Sequence, residues 1–244
     1  MDGEWDHPSA AWKSEQFLAW LYNESPVKDR VAVNDRWGKE TRSRHGGYYT
    51  SEYGEVNGQT TGEATMRHKW DEIRGIGRSF GYNQVEDLDD YLSSDSLVHM
   101  LVNIVSKGGN LTLNIGPTAD GLLPVIMQQR LQDVGNWLKV NGEAIYGTTP
   151  WRVTGEGSNV RYTRKGNTVY AIAFRWPGER LVLAAPRLGT NASVTLLGHG
   201  KPLAWQPQGN GVAITLPPRS PEDFAAPYAY AFKLEGVRDG KNTQ

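Results

Sequence analysis

The segment Val31-Ala-Val-Asn-Asp-Arg-Trp-Gly38 decides the fold that the sequence predicts. Its first three residues are apolar and include two β-branched valines, a pattern that favours a buried strand. Polar and aromatic side chains follow at once. A tyrosine-rich run at residues 48–50 predicts a second strand, and Glu52 follows it in the same way. Two consecutive strands that end in an arginine, a tryptophan and a carboxylate are typical of the active face of a parallel α/β barrel.

Helical patterns alternate with strand patterns over the first 150 residues. The spacing of apolar residues predicts helices over residues 10–23, 96–107 and 124–141. Ser94 or Asp95 is expected to cap the second of these helices, and residues 111–115 predict a further buried strand. This alternation indicates a parallel sheet with helical crossovers.

The pattern changes after residue 150. Short strand-like runs follow one another without a helix, separated by turn pairs such as Gly166-Asn167 and Gly209-Asn210. Such a series is typical of an antiparallel β-sandwich. The predicted domains are residues 1–150, residues 151–237 and a polar tail, 238–244.

Composition excludes several classes of function. A formal net charge of −1 gives no general attraction to nucleic acid or to an anionic membrane. The chain has no cysteine, which rules out disulfide and thiolate chemistry. No run approaches the roughly 20 apolar residues of a membrane-spanning helix. The five histidines lack metal-ligand spacing, so no metal site is predicted.

Nine tryptophans and eleven tyrosines are many for 244 residues. Aromatic rings with a polar atom suit surfaces that stack on sugars, although they equally pack ordinary cores. The opening residues have neither a basic start nor an apolar run, so they do not predict a signal peptide.

Carboxylates near strand ends are the candidates for sugar chemistry. Two-carboxylate hydrolysis with retention needs a nucleophile and an acid/base group about 5 Å apart. The candidates by position are Asp2, Glu52, Glu55, Asp71 and Glu72, and for each the alternative is a solvated surface group. A buried Arg36 must face an anion or several hydroxyls, and its alternative role is a structural ion pair with Asp35 or Glu52.

Several motifs together resemble one enzyme family. They are Asp2-Gly-Glu-Trp5, Val33-Asn-Asp-Arg-Trp-Gly38, His45-Gly-Gly-Tyr-Tyr49, Ile76-Gly-Arg-Ser-Phe-Gly-Tyr-Asn83, Gly108-Gly-Asn-Leu-Thr-Leu-Asn-Ile-Gly-Pro117 and Asn141-Gly-Glu-Ala-Ile-Tyr146. In order and in spacing they resemble the α-L-fucosidases of glycoside hydrolase family 29, over essentially the whole chain.

The resemblance implies a retaining exo-glycosidase that removes terminal α-L-fucose from oligosaccharides or glycoproteins, without a metal or organic cofactor. It implies that Asp2 is the nucleophile and that Glu52, within Thr50-Ser-Glu-Tyr53, is the acid/base, with Asp71 as the reserve acid/base. The substrate-binding residues that it implies are Arg36, Phe80 and Trp5. Secreted, periplasmic and lysosomal locations are all compatible with the family.

The resemblance also implies a (β/α)8-like barrel followed by a β-sandwich. A full barrel takes about 250 residues, whereas the alternating region here spans about 150. We therefore expect a partial (β/α)8-like barrel, its second half, followed by a C-terminal antiparallel β-sandwich. Such a truncated form is expected to have reduced activity or none alone, and its open sheet edges favour a homo-oligomer.

Two alternatives remain at this point. The chain could be a non-catalytic carbohydrate-binding fragment, in which Trp151, Trp176 and Trp205 of the sandwich form a sugar platform instead of packing its core. It could also be a gene fragment with no function of its own.

Overall fold

The structure, a computed structural model, describes residues 6–56, 59–60, 68–218 and 227–238. The described residues contain four α-helices: α1 (Ser9–Trp12), α2 (Ser14–Asn23), α3 (Ser94–Ser106) and α4 (Val125–Asn141). The strands are β1 (Tyr49–Glu52), β2 (Glu55–Val56), β3 (Gln59–Thr60), β4 (Trp70–Gly75), β5 (Gly109–Asn114), β6 (Thr149–Glu156), β7 (Val160–Lys165), β8 (Thr168–Ala173), β9 (Arg180–Leu183), β10 (Leu188–Leu196), β11 (Trp205–Gln208), β12 (Gly211–Thr215) and β13 (Tyr230–Val237).

Contacts divide the chain into two compact units. The first comprises Met1–Gly75 with Gly108–Asn114, and the second comprises Ile76–Lys107 with Ile115–Gln244. The domain boundary near residue 150 that the sequence suggested stays a prediction.

The first unit is built on a five-stranded sheet with the order β3-β2-β1-β4-β5. Strands β1, β4 and β5 run parallel, as the alternating sequence pattern predicted. The hairpin β2–β3 extends the sheet from β1 in antiparallel fashion.

The segment Val31–Val33 does not form the predicted strand. Residues 31–33 belong to no strand, and the Val33 carbonyl accepts from both Gly47 N (2.8 Å) and Tyr48 N (3.0 Å). Two successive N–H groups that donate to one carbonyl are typical of a loop. Pairing between strands would instead need hydrogen bonds at alternate residues along the segment. The prediction of a regular strand over residues 31–33 was therefore wrong.

Two helix boundaries also differ from the prediction. The helix expected over residues 10–23 is broken at Lys13, whose φ of 54° lies in the left-handed region and ends α1. Helix α3 begins earlier than expected, because Ser93, one residue before the predicted caps, accepts the hydrogen bond from Ser96 N.

The second unit contains the predicted antiparallel β-sandwich. A five-stranded sheet, β10-β13-β8-β7-β6, packs on a three-stranded sheet, β11-β12-β9. Both predicted turn pairs connect strands in two-residue hairpins, β7 to β8 and β11 to β12. The buried side chains between the sheets include Tyr162, Val169, Leu183, Val212, Ile214 and Phe232.

The tryptophans of the sandwich belong to its core. Trp151 is only 3% exposed, and Trp176 and Trp205 are partly buried against the same cluster. The structure thus contradicts a three-tryptophan sugar platform and bears out the alternative of ordinary core packing.

The other face of the five-stranded sheet is covered by α3 and α4. Trp137 of α4 is fully buried among Val98 and Val102 of α3 and Tyr170 and Ile172 of β8. Because both faces of β8 are covered, nearly the whole strand is buried. No helix among the described residues is long and apolar enough to span a membrane.

Candidate active site

The pairing register assigns the side chains of the first unit's sheet to two faces. Thr50 pairs with Asp71, and Glu52 pairs with Ile73. Since side chains alternate along a strand, Thr50, Glu52 and Asp71 share one face, while Ser51 and Glu72 share the other. Glu52 is the last residue of β1, at its carboxyl end.

Arg36 and Glu52 form an ion pair on this face. The guanidinium is almost completely buried, with Arg36 only 7% exposed, and its Nε donates to the Thr50 hydroxyl at 3.0 Å. The structural ion pair that the sequence left open is therefore present, and it brings two of the predicted site residues together.

Asp35 holds Thr50 and the neighbouring loop in place beside the Arg36–Glu52 ion pair. The Asp35 side chain is inaccessible to solvent, and its carboxylate accepts from the Thr50 hydroxyl (2.7 Å) and from Ser43 N (2.8 Å). The Thr41 hydroxyl donates to the Asp35 carbonyl at 2.6 Å. Thr50 thus connects the buried Asp35 to Arg36, and the connection orients the guanidinium toward Glu52.

Sequence reasoning missed the support that Thr41, Arg42 and Ser43 give. Arg42 donates to the Thr50 carbonyl at 3.1 Å, and both Thr41 and Arg42 are buried. Their segment has the polar, Gly-flanked composition of a solvated loop, so composition alone gave no signal. The only available sign was a high density of hydrogen-bonding side chains between two predicted strands.

Asp71 lies deeper on the same face. It is half-buried, and Thr112 donates to its Oδ2 at 2.7 Å, whereas its buried Oδ1 has no hydrogen-bond partner among the described residues. Burial raises the pKa of Asp71, against the smaller opposing effects of Thr112 and Arg36. Asp71 lines a cavity of about 550 Å³ together with Tyr48 and Thr112.

The other two strand-end carboxylates differ from these. Glu72 is buried on the opposite face, where it accepts from the Ser51 hydroxyl and from Gly54 N (2.8 Å). These bonds give Glu72 a structural role, because they close the turn after β1. Glu55 begins β2, and its backbone pairs with Glu52.

Phe80 belongs to the second unit, in the loop between β4 and α3. It is 45% exposed, as a side chain that contacts a ligand must be. Asp2 and Trp5 lie outside the described residues. In the parts of the chain that the structure describes, no group of three or more histidine and carboxylate side chains is arranged to hold a metal ion.

Two family models match the chain. The model described as Alpha-L-fucosidase matches residues 1–143, and the model described as Alpha-L-fucosidase C-terminal domain matches residues 156–235. Tissue alpha-L-fucosidase of Bos taurus is 44% identical over 241 residues, which cover 97% of this chain and 50% of that protein. Alpha-L-fucosidase of Branchiostoma floridae is 42% identical, with 97% and 53% covered. The chain therefore spans about half the length of the curated relatives it matches.

A solved structure gives the same result. The crystal structure of Thermotoga maritima alpha-fucosidase in complex with a mechanism based inhibitor is 34% identical to this chain, with a TM-score of 0.74, and the match covers 91% of this chain and 48% of that one. This likeness confirms the predicted fold class, a partial (β/α)8-like barrel followed by a C-terminal antiparallel β-sandwich. The chain belongs to the α-L-fucosidases of glycoside hydrolase family 29.

Proposed function

We propose that this chain carries the catalytic carboxylates of a retaining α-L-fucosidase, which hydrolyses terminal α-L-fucose from oligosaccharides or glycoproteins. The observation that carries the proposal is the position of Glu52 at the carboxyl end of β1, on the same sheet face as Asp71, in a member of this family. The Thermotoga maritima relative, which was crystallised with a mechanism based inhibitor, supports a double displacement.

The reaction proceeds in two steps. Asp2 attacks the anomeric carbon, and the bond from that carbon to the leaving oxygen breaks. Glu52 acts here in its protonated form, in which the ion pair with Arg36 is replaced by a neutral carboxyl group, and it donates its proton to the leaving oxygen. Glu52, now a carboxylate, takes a proton from water as the water oxygen attacks the fucosyl ester. The ester bond to Asp2 breaks, and L-fucose leaves with its configuration retained.

Glu52 is a better candidate than Asp71 for the acid/base because it lies at the carboxyl end of its strand. Catalytic groups of parallel barrels gather at the carboxyl ends of strands. Glu52 ends β1, whereas Asp71 is the second residue of β4. The raised pKa of Asp71 suits a general acid, but its cause is burial, which any half-buried carboxyl shares. The position of Glu52 at the strand end is the stronger argument, so Asp71 remains the alternative acid/base.

Arg36 has a second function in this scheme. The family resemblance implies that the Arg36 guanidinium also binds the sugar, and its bonds to Thr50 and Glu52 fix its orientation. The family resemblance implies that Phe80 and Trp5 also bind the sugar. The roles of Asp2, Trp5 and Phe80 rest on the family resemblance.

The test measures hydrolysis of an aryl α-L-fucoside by the folded 244-residue chain and by a fusion of this chain to the N-terminal half of the bovine relative. Glu52→Gln should lower kcat by about 10²–10⁴-fold, with partial recovery when azide is added as a small nucleophile. Glu24→Gln, an exposed carboxyl on the same unit, is the matched control. Unchanged turnover in Glu52→Gln would overturn the assignment, and absence of turnover from both folded proteins would overturn the function.

A further inference from the structure

A small cavity lies at one edge of the sandwich, entirely within the second unit. It opens between β10 and β11, which are edge strands of the five-stranded and the three-stranded sheet. Its volume is about 190 Å³, whereas sites for drug-sized ligands measure roughly 300–1,000 Å³. The cavity therefore has room for a single ring and not for an oligosaccharide. Its lining includes Arg187, Leu188, Trp205, Pro207 and Asn210.

An irregularity in β10 shapes this edge of the sandwich. The ladder between β10 and β13 is interrupted, so that residues 189–192 of β10 lie opposite the single residue Gly236 of β13. Such a bulge bends an edge strand and redirects its side chains. The bulge also anchors an indole, because the Ala192 carbonyl accepts from Nε1 of Trp205 at 3.3 Å. The position of this indole in the cavity is therefore fixed.

Two rings form the apolar wall of the cavity. Trp205 pairs with Ile214 and Pro207 pairs with Val212, and both partners are fully buried. Paired residues on neighbouring strands point to the same face of a sheet, so the two rings lie on the inner face of β11. Because β11 is an edge strand, they are covered only in part: Trp205 is half-buried and Pro207 is exposed. The wall thus keeps apolar surface that a ligand can reach.

A cation and an amide of the cavity are not used by the fold. Arg187 and Asn210 are exposed, and among the described residues the Arg187 guanidinium has no ion pair and the Asn210 amide has no hydrogen bond. Arg238 adds a second cation nearby: its backbone N donates to the Arg187 carbonyl at 2.7 Å, and its Nε lies 3.5 Å from where a Cβ atom at Gly189 would be. No carboxylate is among the described side chains that line the cavity. The cavity therefore suits an anion that is attached to a ring.

We propose that this cavity is a second carbohydrate site, which binds one carboxylate-bearing sugar ring, a uronic or a sialic acid residue of a glycan. The Arg187 guanidinium binds the carboxylate through two parallel hydrogen bonds, a geometry that a guanidinium offers and an ammonium does not. Trp205 and Pro207 pack against the C–H face of the ring. The Asn210 amide bonds a ring hydroxyl. This binding goes beyond the proposed hydrolysis of fucosides and needs no turnover.

The test titrates the folded 244-residue chain with the methyl glycosides of glucuronic acid and of N-acetylneuraminic acid, and saturation transfer NMR measures the binding. Arg187→Ala should weaken binding of the acidic sugar about tenfold or more, because it removes a bond between charged groups. Arg187→Lys should give an intermediate affinity, and Asn210→Ala should weaken binding about 2–5-fold. Arg180→Ala is the matched control, since Arg180 is an exposed arginine on β9, the opposite edge of the three-stranded sheet, and should leave the affinity unchanged.

Two further ligands separate the carboxylate from the ring. The methyl ester of the glucuronide keeps the ring and loses the charge, and acetate keeps the charge and lacks the ring. Both should bind about tenfold or more weakly than the acidic sugar. Binding of the ester or of acetate as tight as that of the acid would overturn the proposal, and so would an affinity that Arg187→Ala leaves unchanged. Absence of binding of both acidic sugars to the folded chain would overturn it as well, and a preference between the two acids identifies the class of glycan.

Discussion

Glu52 and Asp71 lie on the same face of the parallel sheet, two residue positions apart in depth. Asp71 is level with Thr50, which puts it roughly 7 Å nearer the amino ends of the strands. The sequence indicated both carboxylates as acid/base candidates but gave no geometric reason to prefer either. The register of β1 and β4 gives such a reason, because it places Glu52 nearer the carboxyl end.

Exchange of the two carboxyls for amides should separate their roles. Glu52→Gln should lower kcat on a fucosyl disaccharide by about 10²–10⁴-fold, because a sugar leaving group needs a proton. Asp71→Asn should stay within about fivefold, because an amide can still accept from Thr112. Steady-state kinetics on the fusion with the bovine N-terminal half measure both. A larger loss in Asp71→Asn would transfer the acid/base role to Asp71.

Asp71 should also make stability depend on pH. Burial raises its pKa, so the folded state holds the proton more tightly than the unfolded state does. That stabilisation is present at low pH and is lost as the pH rises through the folded-state pKa. Asp71→Asn should therefore match the parent near pH 3 and exceed its free energy of unfolding at pH 7, by about 0.5–1 kcal/mol for a half-buried group.

Urea unfolding at the two pH values measures this difference, with Asp29→Asn as an exposed control on the same unit. A difference between variant and parent that is the same at both pH values would contradict the prediction.

The local sequence predicted β1, β5 and the two hairpins, because a short run of strand-forming residues or a turn pair determines each of them. No such run predicted β4. The local sequence could not show that Val31–Val33 lacks a ladder, since partners for a strand come from the rest of the fold. The break at Lys13 was equally invisible, because a lysine gives no sign of a positive φ.

The candidate site was predictable in part for the same reason. Arg36 and Glu52 stand at the ends of two apolar runs, and this placement suggested their proximity. The support from Asp35 was not predictable, since its burial depends on a hydroxyl fifteen residues away, in Thr50.

Asp35 should be important for stability, although the sequence indicated it only as an alternative ion-pair partner of Arg36. Asp35→Ala leaves the Thr50 hydroxyl and Ser43 N without their acceptor inside the fold. We expect a loss of about 3 kcal/mol in the free energy of unfolding, measured by urea denaturation. Asp29→Ala, on the exposed surface, should change it by less than about 0.5 kcal/mol. A loss at Asp35 as small as that of the control would contradict the supporting role.

The two sheets of the sandwich should depend on Glu156 for part of their cohesion. Its carboxylate accepts from the Tyr162 hydroxyl (2.7 Å) in its own sheet and from Ala184 N (2.9 Å) and Ala185 N (2.6 Å), directly after β9 in the other sheet. Glu156→Ala removes the acceptor of three donors, one of them on a fully buried tyrosine. We expect a loss of about 2–3 kcal/mol.

Tyr162→Phe removes one donor and leaves the two backbone bonds, so its cost should be about 1 kcal/mol. The double variant should cost less than the sum of the two single variants, because each single change already removes the bond that they share. Thermal unfolding of the four proteins gives the coupling, with Glu179→Ala as an exposed control near β9. Strict additivity would show that the Tyr162–Glu156 bond contributes nothing to the stability of the sandwich.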